Sequence, residues 1–180
     1  MKNRTIILFI ALTALSFSGI AQNFTLSSKS LSGQATNKTF FNNFGCSGDN
    51  ISPELSWSNP PEGTKSFAVT IYDADAPTGS GFWHWVVFNI PAQSKSISEN
   101  ASSKKSLPIG SIESNTDFGA PGYGGPCPPE GDKPHMFIVT VYALKTDKLG
   151  LDANATPAVV GFYLNANVIE KSSIVFYAKR

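Results

Sequence analysis

Two histidines and two aspartates are the side chains best placed for chemistry. His84 and His135 are the only histidines of the 180 residues, and each follows a glycine- or proline-rich loop at the start of a strand-like segment. Asp73 closes another such segment, and Asp75 lies in the turn that follows. Imidazole N–H groups donate hydrogen bonds to phosphoryl oxygens, more strongly when the ring is protonated. We therefore expect a small anion pocket in which Asp73, His84 and His135 lie together.

The positions of Asp73 and His84 follow from strand periodicity. Residues 66–73 alternate, and Asp73 falls on the apolar face of that segment. Residues 82–90 are rich in aromatic and β-branched side chains and come after a short, turn-rich connection. A hairpin is the simplest arrangement, and it places Asp73 and His84 at the same end of one sheet. A carboxylate at the rim of an apolar face needs a partner, which a histidine supplies.

Other interpretations of these residues stay open. A lone histidine is commonly a hydrogen-bonded structural residue, and an aspartate near a turn commonly forms an Asx-turn. Two histidines and two aspartates could also bind a metal and activate water, which would make the protein a hydrolase. The indoles of Trp83 and Trp85 could offer a face to an amine cation. No Gly-x-Ser-x-Gly elbow or Cys-x-x-Cys pair is present in the sequence.

The chain reads as mostly β, with a single helix near its C-terminus. Further strands are predicted over residues 135–144 and 173–178, with shorter strands near Phe24, Phe40, Leu55 and Ile112. The helix is predicted from about Pro157 to Val168, with Thr156 as its cap and a buried stripe of Val160, Tyr163, Leu164 and Ile169. Short strands separated by Gly, Pro, Asn and Ser turns are typical of a two-sheet β-sandwich.

A long loop over residues 117–134 contains five prolines and one of the two cysteines, Cys127. Long irregular loops in compact domains are usually functional or disordered. The prolines favour a rigid, functional loop here. If the protein is exported, an even cysteine count favours a disulfide between Cys46 and Cys127, and two separate thiols are the alternative.

The first 21 residues have the pattern of a secretory signal peptide. Lys2 and Arg4 precede an apolar run over residues 6–15, and Ala21 offers a small residue before the cut. An uncleaved membrane anchor is the alternative, but the run is shorter than the roughly 20 residues of a spanning helix. We expect residues 22–180 to form one domain exported to the periplasm or the medium, with no membrane-spanning segment.

The charge of this mature domain excludes some partners. Lys2 and Arg4 are two of the 14 basic residues, which leaves 12 against 13 acidic residues and a net charge near −1. Such a surface has no electrostatic attraction for nucleic acid or an anionic membrane.

Three segments resemble the signatures of the phosphatidylethanolamine-binding proteins. The first consists of YDADAP at residues 72–77 followed by WHWVVFNIP at residues 83–91. The second is GYGGPCPPEG at residues 122–131, which is followed by Pro134 and His135. The third covers residues 50–57 and includes Ser52, Pro53, Leu55 and Trp57. The sequence is most similar to the bacterial Raf-kinase-inhibitor-like subgroup (YbhB/YbcL type). The motifs are long, occur in the family's order, and extend the resemblance over the whole mature chain.

The resemblance implies a β-sandwich with few helices and a small cavity for phosphate or a phosphorylated headgroup such as phosphoethanolamine. It implies a non-catalytic binding protein without cofactor or metal, and inhibition of an extracytoplasmic protease is the alternative function. It assigns Asp73, Pro77, His84 and His135 to the anion pocket. It also implies that Asp75 orders the adjoining loop. The full set of candidate ligand-binding residues is Asp73, Asp75, Pro77, Trp83, His84, Cys127 and His135.

The sequence departs from the family pattern at three positions near this pocket. Ala74 stands where a proline is usual, and Met136 and Phe137 stand where arginine and tyrosine are common. Phe137 has no hydroxyl to donate, so we expect weaker phosphate binding at an unchanged location.

Overall fold

The computed structural model describes residues 23–180, so the predicted signal peptide lies outside the described residues. Within these described residues, eight strands and one helix follow one another. In order they are β1 (Thr25–Ser27), β2 (Leu55–Ser58), β3 (Ser66–Asp73), β4 (Phe82–Pro91), β5 (Ser96–Ile97), β6 (Ile112–Glu113), β7 (His135–Leu144), α1 (Pro157–Asn167) and β8 (Val168–Ala178).

The strands form two sheets, which confirms the predicted architecture. The larger sheet has the order β6-β4-β3-β7-β8, and the smaller one has the order β1-β2-β5. β3 and β4 pair as an antiparallel hairpin, as predicted, and β7 pairs antiparallel with the other edge of β3. The last residue of β3 therefore lies beside the first residues of β4 and β7. The end of β3 and the starts of β4 and β7 therefore bring their side chains together at one end of the sheet.

Apolar side chains are buried on both faces of the central strands. One face of β3, with Phe67, Val69 and Ile71, packs between the two sheets together with side chains of β1, β2 and β5. The opposite face, with Ala68, belongs to a second cluster that includes Val160 and Leu164 of α1. Burial on both faces explains the continuous apolar run of Phe67, Ala68 and Val69 within β3. The described helix is not long and apolar enough to cross a membrane.

The helix begins where the sequence predicts and ends slightly earlier. Thr156 precedes it in an extended conformation, and Pro157 occupies its first turn, where a missing N–H costs no hydrogen bond. Val160 and Leu164 are buried, but the prediction that Tyr163 and Ile169 complete the buried stripe is wrong. Both side chains are exposed, and Ile169 lies in β8.

β8 begins five residues before the predicted start, because pairing with β7 continues to the end of the helix. Val168 is opposite Leu144 and Glu170 is opposite Ala143, so residues 168–172 extend the edge of the sheet. The predicted strand near Phe40 is also wrong, because Phe40 lies in a turn where its amide donates to the Thr36 carbonyl. The short β5 was not predicted, whereas β1, β2 and β6 lie near their predicted positions.

The predicted disulfide between Cys46 and Cys127 is present, with 5.9 Å between the two Cα atoms. It links the turn-rich segment before β2 to the proline-rich loop before β7. The two cysteines are 81 residues apart, so the bond closes a long loop of the unfolded chain. Closing such a loop lowers the entropy of the unfolded state and stabilises the fold.

Replacing both cysteines, as Cys46→Ala with Cys127→Ala, is expected to lower the free energy of unfolding by about 2–5 kcal/mol. Urea denaturation measures the change. Reductant should destabilise the wild-type protein by a similar amount and leave the double variant unaffected. Equal stability of the wild type with and without reductant would contradict a stabilising role for this bond.

Candidate ligand-binding cavity

A cavity of about 190 Å³ opens at the end of the larger sheet where β3 ends and β4 and β7 begin. Strand residues form its floor, and residues of three loops form its walls and rim. The floor residues are Asp73, His84 and His135, the strand residue Phe82 lies at the rim, and the loop residues are Phe44, Ala76, Pro77, Thr78, Phe118, Cys127, Pro128 and Pro129.

Strand register sets the floor of the cavity. Asp73 is opposite Phe82 in β4 and opposite Phe137 in β7. His135 precedes Phe137 by two residues and points to the same side of the sheet. Asp73 is only 3 % exposed, so its carboxylate lies within the inner face of the sandwich, as alternation predicts.

An extra residue in β4 places His84 in the cavity. Ile71 is opposite Trp85, and the next residue of β3, Tyr72, is opposite Trp83, so His84 has no partner in β3. Such a bulge redirects a side chain, and bulges are common next to functional sites. Because of it, His84 lines the cavity while the following residue, Trp85, packs in the core between the sheets.

The His84 ring is buried and anchored through one nitrogen. Its Nδ1 donates to the carbonyl oxygen of Gly124 at 2.8 Å, and the Gly124 amide donates back to the His84 carbonyl. Burial lowers the pKa of His84 and outweighs the opposite effect of the Gly124 and Gly125 carbonyls and of the Asp73 carboxylate. A carbonyl only accepts, so the proton of the neutral ring lies on Nδ1 and Nε2 has a free lone pair.

His135, unlike His84, is hydrogen-bonded through both ring nitrogens, and its partners are carboxylates. Its Nδ1 bonds to Oδ2 of Asp73 at 2.8 Å, and its Nε2 bonds to Oδ2 of Asp132 at 3.2 Å. Burial lowers the pKa of His135, but the hydrogen bonds to the two carboxylates outweigh this effect, and the net pKa is raised. Each carboxylate accepts a hydrogen bond, so both ring nitrogens donate, which is the hydrogen-bonding pattern of an imidazolium.

Asp75 orders the loop after β3. Its carboxylate accepts from the Met136 amide at 2.8 Å and from Nζ of Lys133 at 2.6 Å. Its own amide donates to Oδ1 of Asp73 at 2.9 Å. The bond from Lys133, followed by that from the Met136 amide, lowers the pKa of Asp75. Asp75 thus ties the β3–β4 connection to the start of β7 and lies behind the cavity wall.

Asn50 holds the glycine-rich part of the loop against the sheet. Its side-chain amide donates to the Tyr123 carbonyl at 3.2 Å, and its carbonyl oxygen accepts from the Gly125 amide at 2.8 Å. A Cβ at Gly124 would clash with the ring of Phe118, and one at Gly125 would clash with the backbone of residues 39–41. These two glycines allow close packing of backbones beside His84.

Comparison with known proteins agrees with this architecture. The model of the family "Phosphatidylethanolamine-binding protein" matches residues 31–179, most of the chain. The chain belongs to the phosphatidylethanolamine-binding protein family.

The UPF0098 protein YbcL of Escherichia coli is 47% identical over 175 residues, which cover 95% of this chain and 96% of YbcL. Its relative YbhB of the same organism is 47% identical over 135 residues, covering 74% of this chain and 85% of YbhB. The crystal structure of YbcL, described as a new member of the mammalian PEBP family, has a TM-score of 0.85 and 48% identity. That match covers 87% of this chain and 98% of the YbcL chain.

The structure brings five of the seven candidate ligand-binding residues together at this cavity of a phosphatidylethanolamine-binding protein. They are Asp73, Pro77, His84, Cys127 and His135. The expectation that Trp83 faces the cavity is wrong, because neighbouring strand residues point to opposite faces and Trp83 packs on Tyr72 with 4.6 Å between ring centroids. The expectation for Trp85 is wrong as well, because this core residue donates its indole N–H to Glu113.

An aromatic rim, formed by Phe41, Phe44, Phe82 and Phe118, was not predicted from the sequence. Phe118 contacts the other three rings, with centroid distances of 4.6 Å to Phe41, 5.8 Å to Phe44 and 4.8 Å to Phe82. Phe44 is 66% exposed beside the cavity mouth. These four phenylalanines lie on three separate segments and show no common periodicity, so only the folded chain reveals this rim.

Phe137, the residue that departs from the family pattern, lies against His84 of the cavity floor. Its ring is fully buried, stacks on Phe176 at 5.1 Å and meets the His84 ring edge-on at 4.9 Å. An apolar surface therefore supports His84 at the position where a tyrosine hydroxyl is common in the family. The cavity therefore has no phenol donor at this position.

The two histidines are expected to titrate on opposite sides of their ordinary pKa of 6.5, His84 below it and His135 above it. Since the folded-state pKa of His135 is raised, its ion pairs stabilise the fold fully below about pH 6.5, and this stabilisation is lost as the pH rises through the raised pKa. His84 has the opposite sign and opposes folding as the pH falls below about 6.5. Imidazole ¹H–¹⁵N NMR follows both rings.

The variant Asp132→Asn should lower the pKa of His135 and leave that of His84 nearly unchanged, because it removes one of the two carboxylates bound to His135. Asp147→Asn, at an exposed position far along the chain, is the matched control and should alter neither. Titration of both rings near 6.5 would contradict the proposed charge states.

Proposed function

We propose that this chain is an exported, non-catalytic binding protein whose cavity holds phosphate or a phosphorylated headgroup such as phosphoethanolamine. The observation that carries the proposal is the orientation of His84. Its Nδ1 is fixed by the Gly124 carbonyl, and its Nε2 remains available at the cavity floor. This arrangement presents one ring nitrogen to a ligand oxygen in a fixed direction.

The size and walls of the cavity support the same ligand class. A cavity of about 190 Å³ accommodates a phosphate group with a short substituent. Around the polar floor, Pro77, Pro128 and the aromatic rim offer apolar contacts. A phosphate ester matches this layout, because its oxygens reach the floor while its carbon atoms pack at the rim.

A binding role is favoured over catalysis because the acid–base groups of the floor are engaged with one another. Both nitrogens of His135 bond to carboxylates, and both oxygens of Asp73 accept hydrogen bonds. No group of three or more His, Cys, Asp or Glu side chains within residues 23–180 is arranged to hold a metal ion. A metal-dependent hydrolase would have to open the buried Asp73–His135 pair first.

Inhibition of an extracytoplasmic protease remains the alternative hypothesis, and it rests on resemblance to the family. It predicts a surface contact that does not depend on the cavity. Protease inhibition that survives His84→Ala would favour this alternative, whereas inhibition lost in the same variant would link it to the cavity.

Export is proposed from the sequence of residues 1–21. Expression of the full chain in a Gram-negative host should give a product in the periplasm or medium whose mass begins at about Gln22, because the leader is removed on export. Intact-mass spectrometry of the cell fractions measures this. A full-length product found only in the cytoplasm or fixed in the membrane would contradict it.

Calorimetric titration with phosphate and O-phosphoethanolamine should show one saturable site with a dissociation constant between millimolar and micromolar values. His84→Ala should abolish binding because it removes the nitrogen that faces the ligand. Phe162→Ala, on the exposed face of α1, is the control and should bind as the wild type does. Unchanged binding in His84→Ala would reject the cavity as the anion site.

A further inference from the structure

The floor of the cavity is unusual for an anion site because it presents acceptors. Neutral His84 donates through Nδ1 to Gly124, so its Nε2 faces the ligand as a lone pair. Within residues 23–180, Nε2 of His84 is the one histidine ring nitrogen that has no protein partner, since both nitrogens of His135 bond to carboxylates. An ionised ligand oxygen would therefore meet another acceptor at Nε2.

Several neighbouring donors are already used within the protein. The Thr78 hydroxyl donates to the Gly81 carbonyl, and both nitrogens of His135 donate to carboxylates. The amides of Gly124 and Gly125 donate to the His84 carbonyl and the Asn50 side chain. A phosphoryl oxygen reaching the floor finds these donors occupied.

The charged groups around His84 add to this acceptor character. Acidic groups outnumber basic ones on the segments packed around the ring. These groups are Asp73 on β3, Asp75 after β3, Asp117 in the long loop, Asp132 and Lys133 at the end of that loop, and His135 on β7. The nearby rings of Phe82, Phe118 and Phe137 are uncharged. With neutral His84, the surroundings repel a doubly charged ligand.

We propose that the cavity binds its anion together with one proton, which lies between Nε2 of His84 and a ligand oxygen. This inference rests on the proposed function and specifies the chemical form of the ligand. A phosphomonoester in its monoanionic form brings the proton as a P–OH group that donates to Nε2. A dianion or a phosphodiester lacks that proton, so the imidazole must take one from the solvent.

The proposal predicts a preference among phosphate esters. A monoester has a second pKa of about 6 and carries its own proton below that pH. A diester has no second proton and requires a charged His84 in a buried position, where burial lowers the pKa of the ring. The cavity should therefore prefer monoesters near pH 6. Above pH 7, affinity for a monoester should fall about tenfold per pH unit, since each complex takes up one proton.

Calorimetry with methyl phosphate and dimethyl phosphate tests this between pH 5.5 and 8.5, in buffers with different ionisation enthalpies. For methyl phosphate we expect uptake of about one proton per complex at pH 8, less uptake below about pH 6, and a dissociation constant about 30-fold higher at pH 8.5 than at pH 7. Dimethyl phosphate should bind more weakly at pH 6 and still take up a proton there.

The variant His84→Gln separates proton coupling from anion binding. A glutamine amide donates a hydrogen bond without titrating, so this variant should take up less than one proton per methyl phosphate at pH 8 and show a smaller rise of the dissociation constant above pH 7 than the wild type does. Circular dichroism checks its fold. If the variant does not fold, the ¹⁵N shift of Nε2 in the wild-type complex provides the test, because protonation or a P–OH bond moves it on binding.

Two outcomes would overturn the inference in distinguishable ways. Binding of methyl phosphate by the wild type without proton uptake, at constant affinity between pH 7 and 8.5, would reject proton coupling and leave the anion cavity standing. Absence of binding at pH 5.5 and at pH 8 for both esters would reject the proposed function and this inference together.

Discussion

The buried ion pair between Asp73 and His135 is the contact on which the rest of the site depends. It joins the last residue of β3 to the first residue of β7, 62 positions later in the chain. Both side chains are almost fully buried, at 5% and 1% exposure. Removing one partner of such a pair leaves an uncompensated charge, which costs about 3–5 kcal/mol. The pair therefore fixes the point at which two loops leave the sheet.

Those two loops are held by hydrogen bonds that start from this pair. Oδ1 of Asp73 orders the Asp75 amide, and the Asp75 carboxylate holds Met136 and Lys133. Asp132, at the far end of the proline-rich loop, accepts a hydrogen bond from the other ring nitrogen of His135. The disulfide and Asn50 fix the rest of that loop. The cavity remains open because its walls are bonded to the sheet and to each other, which prevents their collapse onto the floor.

Much of this arrangement follows from local sequence rules, and the failures have specific causes. Alternation in residues 66–73 correctly placed Asp73 on the inner face, and the short connection correctly indicated the hairpin that brings His84 beside it. The bulge at His84 is invisible to periodicity, because one extra residue changes the face of a side chain without changing the apolar pattern. The bulge accounts for the core position of Trp85, whereas Trp83 follows ordinary alternation and lies on the face opposite His84. Ile169 was misassigned because pairing with β7 overrides helix propensity at the end of α1.

Other features depend on contacts between distant segments. Asn50 acts on residues 123 and 125, and the aromatic rim unites four phenylalanines from three separate parts of the chain. Asn50 does have a local signal, since it adopts a left-handed φ of 51° that asparagine tolerates better than most residues. Its partners carry no comparable signal. Sequence patterns therefore located Asp73, His84 and His135 of the strands at the cavity, whereas Asn50 and the aromatic rim required the folded chain.

The two histidines show how one side-chain type acquires two roles within one cavity. His135 lies between two carboxylates and is held as a cation, so its charge is compensated by ion pairs within the protein. His84 lies among phenylalanine rings with a carbonyl on Nδ1, and burial keeps it neutral. A structural cation thus holds the loops while a neutral ring remains for the ligand. Because the cation is already compensated, it offers an incoming anion little attraction, and under the proposed function recognition depends on the hydrogen-bonding state of Nε2 of His84.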